Sequence, residues 1–223
     1  MTLSSLARLI LVTATLTVLP LNVHAQIRVT VDRNTGTAAT KDFKFKNVPS
    51  PAREDAAAKA TVRLLVGESD PAGGDLSVLT DGLLPAKADE PKSNFYFASG
   101  SGGGRVRMDF GEVIEIKQVN SYSWHSSTGA PQVYLLYASD GGEIGFNAEP
   151  NANTDPIDCG WKLITTVDTR KSGDGGQYGV SITDAHGILG KYRYLLFSFV
   201  ATETDDDAGN TFYSEIDVVT KKP

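Results

Sequence analysis

An all-β fold, an antiparallel sandwich of two sheets, is what this chain predicts, and three observations carry the prediction. Short runs rich in β-branched and aromatic residues recur about every dozen residues from Thr61 onward, clusters of Gly, Asp, Asn and Ser separate them, and no stretch shows a sustained 3.6-residue apolar period. Many short strands with no helices between them fill a sandwich rather than an α/β enzyme fold. The composition permits it: 40% hydrophobic and 22% charged residues suit a folded soluble protein. A formal charge of −6 disfavours a binder of the nucleic-acid backbone, whose phosphates would be repelled. Cys159 is the single cysteine, so no internal disulfide forms, and no Cys/His cluster offers a structural zinc site.

The first 25 residues read as a processing segment. Arg8 precedes the apolar run Leu9–Leu19, and Val23-His24-Ala25 places small residues at −3 and −1 of a cleavable bond. The run is too short for a membrane span, which needs about 20 apolar residues, and no later segment comes closer. A secreted or periplasmic protein starting at Gln26 is expected. Residues 26–60 form an N-terminal extension: Ile27, Val29 and Val31 alternate with polar residues as in a half-buried strand, Pro49 and Pro51 interrupt any ladder, and Glu54–Ala60 suits a turn or two of helix.

Residues 61–223 supply the sandwich. Strands are expected at Thr61–Val66, Phe95–Ala98, Arg105–Phe110, Ile116–Trp124, Gln132–Ser139, Trp161–Val167, Tyr178–Thr183, Tyr192–Val200 and Phe212–Val219. Val106, Met108 and Phe110 alternate with Arg105, Arg107 and Asp109, the mark of a strand with one wet face. Val133–Tyr137 and Tyr194–Phe197 are apolar on both sides, which suits central strands. Two connections, Gly67–Asn94 and Gly141–Gly160, exceed the ordinary loop length of about 12 residues, and such loops are where a site belongs.

Several of these pieces occur in a familiar order. Thr80-Asp81-Gly82, Met108-Asp109-Phe110-Gly111, Gln132-Val133-Tyr134 leading to Ser139-Asp140-Gly141, Trp161, Tyr192-Arg193-Tyr194-Leu195 and Ser214-Glu215-Ile216-Asp217-Val218 follow one another as in a discoidin, or coagulation factor 5/8 type C, domain. The chain resembles that family over roughly residues 61–220. The resemblance implies a galactose-binding-like jelly roll that holds carbohydrate, phospholipid headgroups or proteins on loops at one end. The Thr-x-Trp that commonly follows the Asp-Gly turn is missing, and Phe95, Tyr96 and Phe97 arrive only after an insertion.

The resemblance further implies a structural calcium near the Asp-Gly turn, with Asp81 and Glu215 at the matching positions. Oxygen ligands of mixed backbone and carboxylate origin suit that hard cation. The competing reading makes Asp81 a turn residue and Glu215 a solvent-facing strand residue. For ligand binding, Trp124 and His125 end a strand before the turn Ser126–Gly129, where an aromatic face could stack on a sugar while His125 hydrogen-bonds its hydroxyls. The alternative has Tyr122 and Trp124 facing the core with His125 outside. Tyr96 and Phe146 are further candidates. Catalysis has little sequence support: there is no Gly-x-Ser-x-Gly elbow, His-Glu-x-x-His motif or P-loop, and Gly100–Gly104 leads into a strand rather than a helix. A hydrolase or lyase built on paired carboxylates stays open. The function expected is therefore a non-catalytic exported binding module for an extracellular or periplasmic carbohydrate, the alternative being an adhesion protein that binds a cell-surface or extracellular protein.

Overall fold

The computed structural model describes residues 26–202 and 210–220, so the expected processing segment and the acidic stretch Glu203–Asp207 lie outside the described residues. The strands are β1 (Ile27–Asn34), β2 (Thr61–Val66), β3 (Gly103–His125), β4 (Val133–Ser139), β5 (Lys162–Asp168), β6 (Gly176–Asp184), β7 (Gly190–Val200) and β8 (Tyr213–Thr220), with only short 3-10 helices between them. Every ladder is antiparallel. Among the described residues no helix is long and apolar enough to cross a membrane.

The two layers share one strand. Gly103–Asp109 of β3 lies between β2 and β7, which continues the order to β4 and β5. Past an irregularity between Asp109 and Ile114, the same strand runs between β8 and β6, with β1 at the outer edge. Two strands expected from the sequence, Arg105–Phe110 and Ile116–Trp124, are thus one, because the chain bends at Gly111 (φ +78°) and resumes its pairing with β7 at Ile114. The expected strand Phe95–Ala98 makes only single bridges, Phe97 to Ser69 and Phe95 to Tyr213. It runs between two different partners, so neither develops a ladder.

The period of two sorts residues as predicted in β3, where Val106 and Met108 enter the core. They meet Tyr134, Leu136 and Ala138 of β4, Val180 and Ile182 of β6, Leu195, Phe197 and Phe199 of β7, and Ile216 and Val218 of β8. Burying side chains of this size stabilises by about 1.5–3 kcal/mol each. Two smaller clusters cover the outer faces. On the β2–β5 layer, Phe146 from the long 141–160 connection wedges between Trp161 and Tyr194. On the β1–β8 layer, Phe43 and Val48 of the N-terminal extension cover Tyr122 and Trp124.

That second cluster corrects one expectation. Tyr122 and Trp124 are buried, but they alternate with Val119, Ser121 and Ser123, which face the inter-layer core, so their rings lie on the opposite side of the sheet. Phe43 meets both edge-on, at 6.2 and 5.6 Å between ring centroids. The extension, joined by Leu84 and Ala88, is what buries them. Its strand β1 pairs with β6 along all eight of its residues, while Glu54–Ala60 contains one 3-10 turn, Ala57–Lys59.

Candidate functional site

One end of the sandwich gathers the close of β3, the start of β6 and β8, the end of β1 and the turn 126–132. A buried polar network fixes that turn. Tyr134 OH and Ser121 Oγ lie 2.9 Å apart, Ser121 Oγ donates to Gln132 Oε1, Gln132 Nε2 donates to Ser123 Oγ at 3.1 Å, and Ser123 Oγ donates to Ala130 O. Each member is satisfied by another, so the network confers rigidity rather than a desolvation penalty.

Three rings stack at this end. Tyr96 lies parallel to Phe212, with centroids 4.0 Å apart and planes 7° apart, and His125 leans on the same Phe212 at 4.4 Å. His125 is held on both nitrogens. Ser127 N donates to Nδ1 at 3.1 Å, which makes Nδ1 the acceptor and places the ring proton on Nε2, 3.2 Å from Asp89 Oδ1. The same Asp89 oxygen accepts from Ser126 N at 2.8 Å. Against its partial desolvation, the Ser126 donors and then the His125 ring hold the Asp89 carboxyl below the usual range. Asp89 adopts φ +57°, a conformation L side chains seldom take, which its two partners stabilise.

Beside His125 lies a cleft of about 380 Å³, whose walls include Trp124, Ser126, Arg33, Asp174 and Ala88. The extension supplies its far wall through Arg33, Thr35, Gly36 and Ala39. Arg33 is pinned: Nε donates to Gly175 O at 2.9 Å, Nη1 to Ser172 O and Nη2 to Asp174 O, while the guanidinium sits over the Tyr178 ring. Gly175, at φ +64°, leaves no room for a Cβ against Ser126 O, so the cleft floor requires glycine there. The result is a rigid concave surface with ring edges, carboxylates and backbone polar groups, the constitution of a small-ligand site.

The structure brings Tyr96, Trp124 and His125 to this end and places Phe146 elsewhere, on the outer face of the β2–β5 layer. The 141–160 connection folds back over that face because Arg105 donates to the carbonyls of Asn151 and Thr154 and Arg107 pairs with Glu149 at 3.0 Å. Trp124 is 6% exposed, so it lends an edge to the cleft rather than an open platform. Phe212, which is only half-buried, is more exposed than Tyr96 or Trp124 at this end. Sequence reasoning passed over Phe212, Arg33, Asp89 and Asp174; an aromatic residue at the loop end of the last strand was the available signal for the first.

Glu215 is fully buried on β8, facing the extension. Its Oε2 accepts from Gly82 N at 2.9 Å, whereas Oε1 has no partner. The solvent-facing reading of this residue is therefore incorrect, because the turn at Asp81-Gly82 and the extension close over it. Burial first, and then Asp217 beside it, push its pKa up to about 9; burial first, and then Asp55, push Asp217 up to about 7. Asp217 Oδ2 accepts from Ala52 N and Tyr122 OH, and its Oδ1 is unpartnered. Asp81 is exposed, and its Oδ1 accepts from Leu83 N at 2.7 Å within its own turn. Among the described residues no group of three or more His, Cys, Asp or Glu side chains converges as a ligand set. Glu215 Oε1 is nonetheless a buried, unpartnered carboxyl oxygen beside a backbone turn, which fits an oxygen-liganded cation that draws its remaining ligands from carbonyls.

No family model matches the chain, and no curated protein matches it. Several solved structures are similar. A fucose-binding module of Streptococcus pneumoniae, SpX-3, is 13% identical, with a TM-score of 0.46 over 76% of this chain and 99% of that one. The module GH31 CBM32-2, solved with GalNAc, is 12% identical at a TM-score of 0.47 over 73% and 97%. Chitosan-binding module 1 of a Paenibacillus chitosanase/glucanase is 16% identical at 0.43 over 74% and 98%. The chain spans 28% of the length of SpGH29, which it matches at 12% identity and a TM-score of 0.41.

Proposed function

We propose that this protein is an exported, non-catalytic carbohydrate-binding module that seats a glycan at the Trp124–His125 end of the sandwich. The observation that carries the reading is the Tyr96–Phe212–His125 ring stack alongside a preformed cleft. A pyranose presents one apolar face and a girdle of hydroxyls. The first suits Phe212 and the Trp124 edge, and the second suits Asp89, Asp174 and the backbone of Gly175–Gly176. In this reading His125, engaged on both nitrogens, serves as a ring surface and as the anchor of Asp89 rather than as the hydroxyl-binding group. Binding to a panel of soluble and insoluble polysaccharides tests it, with Phe212→Ala as the control. Specific retention on a glycan, weakened at least tenfold by the substitution, is the expected result; retention by no glycan, or retention indifferent to Phe212, would refute it.

A calcium ion at Glu215 is part of the same proposal. Glu215 Oε1 would contribute the carboxylate ligand and the Asp81 turn its backbone oxygens, and the ion would supply the positive charge that keeps Glu215 ionised. The support is the orphaned, buried oxygen.

A further inference from the structure

Asp184, at the opposite end of β6 from the cleft, carries a third unsatisfied carboxylate oxygen among the described residues. Its side chain is 2% exposed. Oδ1 accepts from the main-chain N of His186 at 2.7 Å and lies 2.9 Å from His186 Nδ1, while Oδ2 is buried with no hydrogen-bond partner. A buried carboxylate oxygen without a donor is costly, and its neighbours are the place to look for the missing one.

The neighbour is the beginning of the described chain. Ile27 stands opposite Asp184 in the β1–β6 register, and Ala185 N donates to Gln26 O at 3.1 Å, which fixes the Gln26 main chain beside the carboxyl. The His186 N–H is the leading influence that holds the Asp184 carboxyl below the usual range, and the Gln26 N–H acts in the same direction. An amide N–H offers one donor and no net charge. An α-ammonium at the same position would offer three donors and a full charge, and charge-assisted bonds of this kind are the strong ones. Sequence and structure meet here, because the bond expected to be cut by export processing is Ala25–Gln26.

We propose that cleavage of the Ala25–Gln26 bond creates an α-ammonium at Gln26 that pairs with Asp184 and supplies the missing partner of Oδ2. The proposal rests on the export expectation, not on the carbohydrate reading. A processing endopeptidase supplies the step. Water adds across the amide, its hydroxyl completing the Ala25 carboxylate, and the freed Gln26 nitrogen takes up protons at neutral pH. Asp184, His186 and the Tyr192 phenol are the titratable groups around the new charge. An unperturbed α-amino group titrates near about 8. Pairing raises that value, so the stabilisation is complete below about pH 8 and is lost as the pH rises through the raised value. The paired ammonium also lacks the lone pair needed to attack the Gln26 side-chain amide, so the terminus should resist cyclisation with loss of ammonia.

The test compares two forms of the protein, one starting at Gln26 and one retaining Ala25, each in the natural sequence and with Asp184→Asn. All the described strands lie within residues 26–220, so both forms contain the whole sandwich. At neutral pH the Gln26 form should melt about 2–4 °C higher, the difference should vanish in Asp184→Asn, and it should fade in strongly alkaline buffer. Should Asp184→Asn not fold, acetylation of the Gln26 amine replaces it and must lower the melt to that of the Ala25 form. Equal melts with an open Gln26 terminus, or a difference that survives loss of either charge, would overturn the pairing. A cyclised terminus by mass spectrometry would do the same. Terminal mapping of the exported protein to any residue other than Gln26 would overturn the processing half by itself.

Discussion

Raising the pH of a cation-free sample should cost this protein stability in a range where most folded proteins are indifferent, and Glu215 is the reason. Its carboxyl has a pKa of about 9 in the fold against an ordinary value of 4.5. A group whose folded pKa is raised binds its proton more tightly in the native state, so stability is complete below the unfolded value and is lost as the pH climbs toward the folded one. Each pH unit inside that window corresponds to about 1.4 kcal/mol, so moving from about pH 5 to about pH 7 removes at most about 2.7 kcal/mol. Asp217, raised to about 7, adds to the loss with the same sign. For a chain of this size the melting temperature should fall by about 5–10 °C. Glu215→Gln keeps an acceptor for the Gly82 N–H but cannot ionise, so it should flatten most of the slope and leave only the share due to Asp217. Calcium tests the cation proposal on the same instrument. Saturating ion should raise the wild-type melt at about pH 7 by binding the Glu215 carboxylate in place of its proton, whereas Glu215→Gln should respond little. Thermal melts across pH, in chelator and in calcium, read every arm. A flat wild-type profile in chelator, or a slope unchanged by Glu215→Gln, would refute the argument from burial; a calcium response of zero would remove the ion alone.

Other substitutions separate ligand contact from architecture. Phe212→Ala should lose glycan affinity together with the stability that its stacking on Tyr96 and His125 contributes, while Phe146→Ala should lower the melt and leave affinity unchanged, because its ring packs against Trp161 and Tyr194 away from the cleft; parallel binding isotherms and melts distinguish the two. Phe43→Ala should destabilise by about 3–5 kcal/mol, since it uncovers Tyr122 and Trp124 together, and denaturant unfolding measures it. Gly104→Ala should destabilise by about 1–3 kcal/mol through overpacking, as its Cβ would press on Val66 O and the Phe97 ring; a fall in denaturant midpoint at unchanged m-value is the expected signature.

Strand spacing was enough to reveal the sandwich, because alternation in Arg105–Phe110 and the two-sided apolar runs of β4 and β7 reflect where each face packs. What spacing could not convey was which layer a strand joins. Nothing local to Asp109–Ile114 distinguishes a turn that ends a strand from a bend that carries it into the other layer. The extension was undervalued for a similar reason. Phe43 and Phe45 alternate with lysines and read as a weak edge segment, yet the meaning of Phe43 depends on Tyr122 and Trp124, nearly eighty residues away. Of the site, the strand-end residues Trp124 and His125 were legible, since an aromatic pair before a Ser-rich turn marks a loop end. Asp89 and Asp174 were not. Their importance arises from hydrogen bonds made across loops, to His125 and at the wall of the cleft, which no periodicity encodes. Glu215 was singled out through the resemblance, but its complete burial depends on the extension as well as on the Asp81-Gly82 turn, and the extension lies outside the region of resemblance.

The sharing of β3 between the layers bears on how this molecule comes apart. Its amides and carbonyls are bonded to β2 and β7 over the first part of its length and to β6 and β8 over the second. Detaching either layer exposes half of a strand whose other half still belongs to the remaining layer, so a half-unfolded molecule gains little chain entropy while forfeiting most of the core. The sandwich should therefore exchange as one cooperative unit, with the amides of β3 opening only in the global event and partial openings confined to the margins, at the free side of β5 and in the 141–160 cap. That arrangement denies a protease the partly opened intermediate it would need to cut within the core.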